Sequence, residues 1–377
     1  MLIFDGHLDL AMMAIQYERD LLQTVGFHRK REVGVDKDER GDAVVSFPEM
    51  RAGNVLLCVT TLLGRAKPWI AADRRLTRGS DDWPHPSMVH GIGHAMMAYY
   101  RWLERAGHAV VIETAEDYAK HVAAAQSSPD TTPIGMIITM EGADGVTAPD
   151  EIDHWHDAGL RTLNLAHFGR SFYAHGTPSN DASNTHDVDG PLLSAADELF
   201  RGMERLGMPL DLSHLSDQSL AGAFARFGGQ VYASHSGCRS IVGNNQGVHP
   251  QRNITDDHIR AIVERGGVVG IPLYNRFIEP DYDASLNAAG CKVDRVVDHL
   301  RTICDIAGDT AHAAIGSDLD GGFGRDRVPH EIDTIADLPR IGEAMERAGF
   351  TAADAEAILG GNWLRFWGEN LPSEAGS

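Results

Sequence analysis

Short apolar runs rich in β-branched residues alternate along the chain with longer stretches whose apolar positions recur at helical spacing, a pattern that predicts a repeated strand–helix unit. Eight runs read as strands: Leu2 to Gly6, Asn54 to Leu63, Ile134 to Met140, Arg161 to Ala166, Pro209 to Leu212, Gln230 to Ser234, Val268 to Leu273 and Ala313 to Ser317. Between them, Ser87 to Ala106 carries Met88, Ile92, Ala95, Met96, Tyr99 and Leu103 at helical spacing. Leu192 to Leu206 is a second helix, closed by Gly207 as a C-terminal cap. Thr255-Asp256-Asp257 supplies an N-cap and an acidic first turn for Ile259 to Glu264. Val293 to Ala307 and Leu338 to Ala348 repeat the pattern.

Such alternation builds a parallel α/β sheet covered by helices. Eight repeats favour a closed (β/α)8 TIM barrel over an open doubly wound sheet. The open sheet would call for a Gly-rich phosphate loop after the first strand, where Asp5-Gly6-His7-Leu8-Asp9 stands instead. No domain boundary is visible, so residues 1–377 read as one barrel domain. Two polar, turn-rich stretches, Glu18 to Ser46 and Gly169 to Pro191, read as enlarged loops over one face.

Composition narrows the partners. The chain has 377 residues, 43% of them hydrophobic, which is ample for a large core. Its 54 acidic and 33 basic residues leave a formal charge of -21, which would repel a nucleic-acid backbone and otherwise serves solubility. Cys58, Cys238, Cys291 and Cys304 form no CxxC pair, which argues against a disulfide framework and a cysteine-rich zinc site. Met1-Leu2-Ile3-Phe4 has no basic leader ahead of the first strand, and Glu374-Ala375-Gly376-Ser377 carries no hydrophobic tail. No run approaches the roughly 18 apolar residues that cross a bilayer. The expectation is a cytoplasmic protein without membrane contact.

In a barrel of this type, reactive residues gather where the strands end and the following loops meet. Six of the eight predicted strands deliver a His, Asp or Glu there: His7 and Asp9, Glu141, His167, His214, His235 and Asp318. His7 and Asp9 are two apart on a strand, so both side chains point one way and can share a cation. Imidazole and carboxylate together suit zinc or a similar first-row metal. The set exceeds what one tetrahedral site needs, and two metals roughly 3.5–4 Å apart would use it, with Glu141 as the natural carboxylate bridge. Two cations would also acidify a shared water to supply a nucleophile. The Asp318-x-Asp320-Gly321 stretch lacks the further ligands of a calcium loop, so Gly321-Gly322 reads as a tight turn and Asp320 as a cap of that loop. His175, His186 and His249 fall in loops of the same face and are left open. The other histidines read as ordinary hydrogen-bonded or exposed residues.

These residues, in this order, resemble the renal (membrane) dipeptidase family of zinc peptidases. The likeness rests on Asp5-Gly6-His7-Leu8-Asp9-Leu10, Glu141-Gly142, Asp211-Leu212-Ser213-His214-Leu215-Ser216, Ser234-His235-Ser236, Arg252-Asn253-Ile254-Thr255-Asp256-Asp257, Gly316-Ser317-Asp318-Leu319-Asp320-Gly321 and Gly360-Gly361-Asn362-Trp363-Leu364-Arg365. It covers nearly the whole chain. It implies a binuclear zinc site in which His7 and Asp9 hold one ion, His214 and His235 the other, and Glu141 bridges. It further implies that His167 contacts substrate, Arg252 faces the substrate carboxylate and Asp318 is the acid/base group. The substrate implied is a dipeptide, including those with a D-residue second, and a homodimer is expected from relatives. Departures from the family pattern bear on substrate preference. The family usually has Asn where Leu8 stands, and a tyrosine of its second strand has no equivalent in Leu56-Leu57-Cys58-Val59-Thr60-Thr61. The long Glu18 to Ser46 loop is a third departure, and it and the missing tyrosine keep a second reading open, another small amide or lactone hydrolase on the same metals. A non-catalytic metal-binding scaffold would require loss of a ligand or of Asp318, and all are present.

Overall fold

Each apolar run becomes a strand. We number them β1 (Ile3–Leu8), β2 (Val55–Leu63), β3 (Ile134–Glu141), β4 (Leu160–Asn164), β5 (Leu210–Asp211), β6 (Val231–Tyr232), β7 (Val269–Ile271) and β8 (Ala313–Ile315). The structure is a computed structural model and describes residues 1–35, 40–69, 81–181, 183–243, 248–280, 282 and 291–373. The C-terminal stretch Glu374-Ala375-Gly376-Ser377 lies outside the described residues.

All pairings between successive strands are parallel. Leu8 stands opposite Thr60, Thr61 opposite Thr139, Glu141 opposite Asn164, and Asn164 opposite Asp211. β5 pairs with β6 and β7 with β8. β6 joins β7 through the bridge between Ala233 and Val269, and the Gly270 N–H donates to the Ala233 carbonyl at 2.8 Å. The ring closes where the Asp318 N–H donates to the His7 carbonyl at 3.1 Å and the Ser317 N–H to Asp5 Oδ1 at 2.7 Å. The architecture is a TIM barrel, as the eightfold repeat predicted.

Strand composition follows from burial on both sides. β2, Val-Leu-Leu-Cys-Val-Thr-Thr-Leu-Leu, is buried along its whole length, as a parallel strand covered by helices must be. Gly270 and Gly316 mark the tightest approach. A Cβ there would lie 2.0 and 1.8 Å from the Ser234 carbonyl oxygen, so only glycine fits beside β6. The Gly360-Gly361-Asn362-Trp363 stretch closes the opposite end. Trp363 Nε1 donates to the Ile315 carbonyl at 2.8 Å, and Asn362 Nδ2 to the Ala313 carbonyl at 2.7 Å.

Helices form where the spacing predicted them, within a few residues. They are Pro86–Arg105, Ala196–Arg205, Asp256–Glu264, Val293–Ala307 and Pro339–Arg347. Thr255 caps its helix by accepting from the His258 N–H, and Gly207 takes a positive φ of 66° past its helix end. Among the described residues no helix is long and apolar enough to cross a membrane.

Two expectations need correction. The stretch Glu18 to Ser46 is not loop throughout, because Val25–Arg31 is helical, with Thr24 accepting from the Phe27 N–H as its cap. Its apolar content is too low for a periodic signal, and its helix is held by tertiary bonds such as His28 Nε2 to the Asp20 carbonyl at 2.8 Å. Asp320 neither solvates the Gly321-Gly322 turn nor caps it. It is fully buried, accepts from the Val44 and Val45 N–H groups, and pairs with Arg19 Nη1 at 3.2 Å. The buried pair ties the enlarged first loop to the turn after β8, beside the site.

Candidate metal centre

The residues singled out by strand position converge at the carboxyl end of the barrel. His7 lies within β1 and Asp9 just beyond it, and Glu141 is the last residue of β3. His167, His214, His235 and Asp318 each stand three residues past the end of β4, β5, β6 and β8. His214 and Asp318 adopt φ of 67° and 57°, a region sparsely used by non-glycine residues and concentrated at functional sites. Gly321 makes room for the second. A Cβ there would lie 2.0 Å from Asp318 Oδ1.

Glu141 sits at the middle. Its Oε2 faces His7 Nε2 at 3.5 Å, while its Oε1 faces His214 Nε2 at 3.4 Å and His235 Nε2 at 3.3 Å. Of the three ligand-type groups among the described residues, two meet at Glu141's oxygens and the third joins His7 and His235 with Asp211. Of the first two, His7, Asp9 and Asp318 form one, and Glu141, His214 and His235 the other. All seven of His7, Asp9, Glu141, His214, His235, Arg252 and Asp318 are at most 6% exposed, so their charges lie out of water.

The electrostatics show what such a set demands. Burial alone would lower the His7 pKa, yet the Glu141 and Asp9 carboxylates override it and raise it to about 10. Burial and Glu141 push Asp9 up to about 7, against the pull of His7. Burial carries Asp318 well above the carboxylate range, helped by Asp9 and Glu141 and opposed by His7 and Arg252. Glu141 is held well below its usual value because His7 and His167 outweigh its burial. Burial keeps His214 and His235 neutral, each well below the usual imidazole value. The arrangement packs three carboxyls against three imidazoles in a buried setting, and a cation would stabilise the carboxylates in their charged form while taking the lone pairs of the rings.

A metal fits on a second ground. Among the described residues, His7 Nε2 and Glu141 Oε2 are buried without a hydrogen-bond partner, and the two face each other. His214 Nε2 and His235 Nε2 converge to 2.9 Å. Buried polar atoms aimed at a common point call for a ligand between them, and the donor set of imidazole and carboxylate is one that divalent first-row metals take.

His167 differs from the other histidines. Its Nδ1 receives a hydrogen bond from Arg65 Nη1 at 2.9 Å, while Arg65 Nε donates to Asp82 Oδ1 at 2.8 Å. Arginine offers donors only, so Nδ1 must accept and the proton sits on Nε2. Burial, together with Arg65 and Arg252, keeps the ring neutral. His167 therefore presents an N–H toward the centre, 3.5 Å from Glu141 Oε1, with its side chain 13% exposed to the opening.

Arg252 closes a 3-10 turn, Pro250–Arg252, and is fully buried. Its Nη1 donates to the His235 carbonyl at 2.8 Å and its guanidinium lies over the Phe277 ring at 4.4 Å. Among the described residues its Nε and Nη2 have no partner. Burial lowers its pKa to about 10, offset by Asp318 and Glu141, so it stays charged at neutral pH. One whole edge of the guanidinium is thus presented for a planar anion.

Arg65 was missed in the sequence, and Asp211 and Ser234, though part of the matching motifs, were given no role. Each also stands at the end of a barrel strand, which is the signal that could have found them. His175, His186 and His249 serve elsewhere. His175 Nδ1 bonds the Pro191 carbonyl, His186 stacks on Trp69, and His249 caps the turn before Arg252.

Residues 1–374 match the model of a family described as membrane dipeptidase (Peptidase family M19). An uncharacterized dipeptidase of Schizosaccharomyces pombe is 28% identical over 235 residues, 62% of this chain and 53% of that protein, so the match spans about half of the relative. An uncharacterized Klebsiella pneumoniae protein is 28% identical over 62% of this chain and 80% of its own. Among solved structures, a dipeptidase described as a metallopeptidase of family M19 shares the fold with a TM-score of 0.75 and 23% identity over 99% of both chains. A Rhodobacter sphaeroides metallopeptidase, solved with a phosphinate mimic of the dipeptide L-Ala-D-Ala, has a TM-score of 0.74 and 23% identity over 98% of this chain and 99% of its own.

Proposed function

The chain belongs to the membrane dipeptidase family (Peptidase family M19), and from that premise we propose that it is a zinc-dependent dipeptidase with two ions. His7 and Asp9 would hold one ion and His214 and His235 the other, with Glu141 placed to serve both. The observation that carries this reading is the division of Glu141, whose two oxygens face separate ligand groups. Two bound cations would acidify a water and polarise the scissile carbonyl.

The chain's own residues supply the rest. Arg252 receives the C-terminal carboxylate of the substrate on its Nε–Nη2 edge, which favours short peptides with that group close to the cleaved bond. His167 donates its Nε2 hydrogen to the carbonyl oxygen as negative charge develops there. Asp318 takes the proton of the attacking water on a carboxylate oxygen and passes it to the leaving amine. Its raised affinity for protons suits a group that must carry one near neutral pH. The substrate is a small molecule, the R. sphaeroides complex being with a dipeptide mimic. The net charge of -21 argues against a nucleic-acid partner.

The test is amino-acid release from a panel of L-L and L-D dipeptides by zinc-loaded protein, beside a chelated control. Metal-dependent cleavage of some members is expected. No cleavage with zinc bound would move the function to another small amide or a lactone. Arg252→Met keeps the bulk over Phe277 but removes the fork, so KM for dipeptides should rise about 10–100-fold, the value of a charge-assisted bidentate contact, with kcat changing less. An unchanged KM would mean that no carboxylate binds there.

A further inference from the structure

We propose that the Ser234 hydroxyl, anchored by Asp211, sets the ring tautomers of His7 and His235 together and so positions a ligand of each cation. The inference rests on the two-cation reading above. Ser234 Oγ donates to Asp211 Oδ2 at 2.5 Å. The same oxygen lies 2.7 Å from His235 Nδ1 and 3.1 Å from His7 Nδ1. Asp211 Oδ1 is already committed, accepting the Ser213 N–H at 3.0 Å and the Ser234 N–H at 2.9 Å.

The donor count favours one arrangement. A hydroxyl has one hydrogen and two lone pairs. The hydrogen goes to the carboxylate, the strongest acceptor in reach. Both rings must then donate their Nδ1 hydrogens to the two lone pairs. Each Nε2 is left with its lone pair outward, and these are the atoms that face Glu141 at 3.5 and 3.3 Å. The rings are stacked with centroids 3.6 Å apart, so one hydroxyl reaches both. Ser213 Oγ accepts the His235 N–H at 3.1 Å and stands farther from Ser234 Oγ, at 3.3 Å, so its own hydrogen is a weaker rival for the Ser234 lone pairs than the two ring N–H groups.

Asp211 is close enough to His7 and His235 to form a ligand group with them. Its hydrogen bonds place it differently. It lies on the Nδ1 side of the rings, behind the atoms that would hold metal. His7 belongs with Asp9 and Asp318, and His235 with Glu141 and His214. Ser234 and Asp211 are therefore positioning residues shared by the two halves of the centre.

Two variants separate this from a general packing role. Ser234→Ala removes the common acceptor, and both equivalents of Zn2+ should weaken by about 10–100-fold in competition with a chromophoric chelator. The absorption spectrum of the Co2+-loaded protein should shift as well. Asp211→Asn is isosteric. Its amide oxygen takes the two backbone donors, so its NH2 faces Ser234 Oγ and the hydroxyl hydrogen turns to one ring. That ring must carry its proton on Nε2, so one equivalent should weaken while the other is kept. Wild-type affinity for both equivalents in either variant would overturn the proposal. Failure of the unaltered protein to bind two Zn2+ would overturn the two-cation reading beneath it.

Discussion

Asp318→Asn is expected to lower kcat by roughly 10²–10⁴-fold, the range of a lost general acid/base, with metal content unchanged. The variant is chosen for the backbone. Asp318 sits at φ 57°, and asparagine is among the few residues that accept the left-handed region without new strain. It also fits the space that Gly321 leaves. What it loses is the ability to carry a proton. The measurements are kcat and KM on the preferred dipeptide and metal content by mass spectrometry. Retained turnover would remove Asp318 from the proton path. Loss of one metal with turnover would make it a ligand instead, a role its closeness to His7 and Asp9 allows.

Glu141→Gln should abolish turnover to the level of the chelated control and weaken both metal equivalents. The effect should exceed the roughly 10–100-fold that losing a supporting hydrogen-bond partner costs. Glutamine preserves shape and keeps one oxygen, so it can face one ligand group but not both. It also removes the charge that draws the surrounding imidazoles together. Competition with a chelator reads each equivalent, and circular dichroism reports folding independently. Two equivalents bound as tightly as in the unaltered protein would show that Glu141 is not the bridge.

These outcomes depend on features read at different depths. The eight strands were legible because apolar runs in a covered parallel sheet are nearly continuous, as in β2. The site residues were legible because barrel chemistry collects at one known end of each strand. Arg252 was reached only through resemblance. It lies on a short turn just before the helix Asp256–Glu264, where no period marks it.

The partnerships were not legible. Arg65 meets His167 across 102 positions, His7 meets Ser234 across 227, and Asp320 meets Val44 across 276. No local pattern encodes such distances. The helix Val25–Arg31 was missed for a related reason, its short polar sequence being held by bonds to the surrounding loop.

By itself, then, the sequence determined the strand order, the burial of the barrel and the residue types presented at its rim, because these follow from periodicity and strand phase. Only the tertiary structure decided that Glu141 divides its oxygens between two groups, that Arg65 gives His167 its outward N–H, and that one serine hydroxyl serves two ligand rings. Those depend on ring closure, which brings the end of β8 against β1 and places atoms from distant segments within a few ångströms. Hydrogen-bond direction and metal geometry act only at that range.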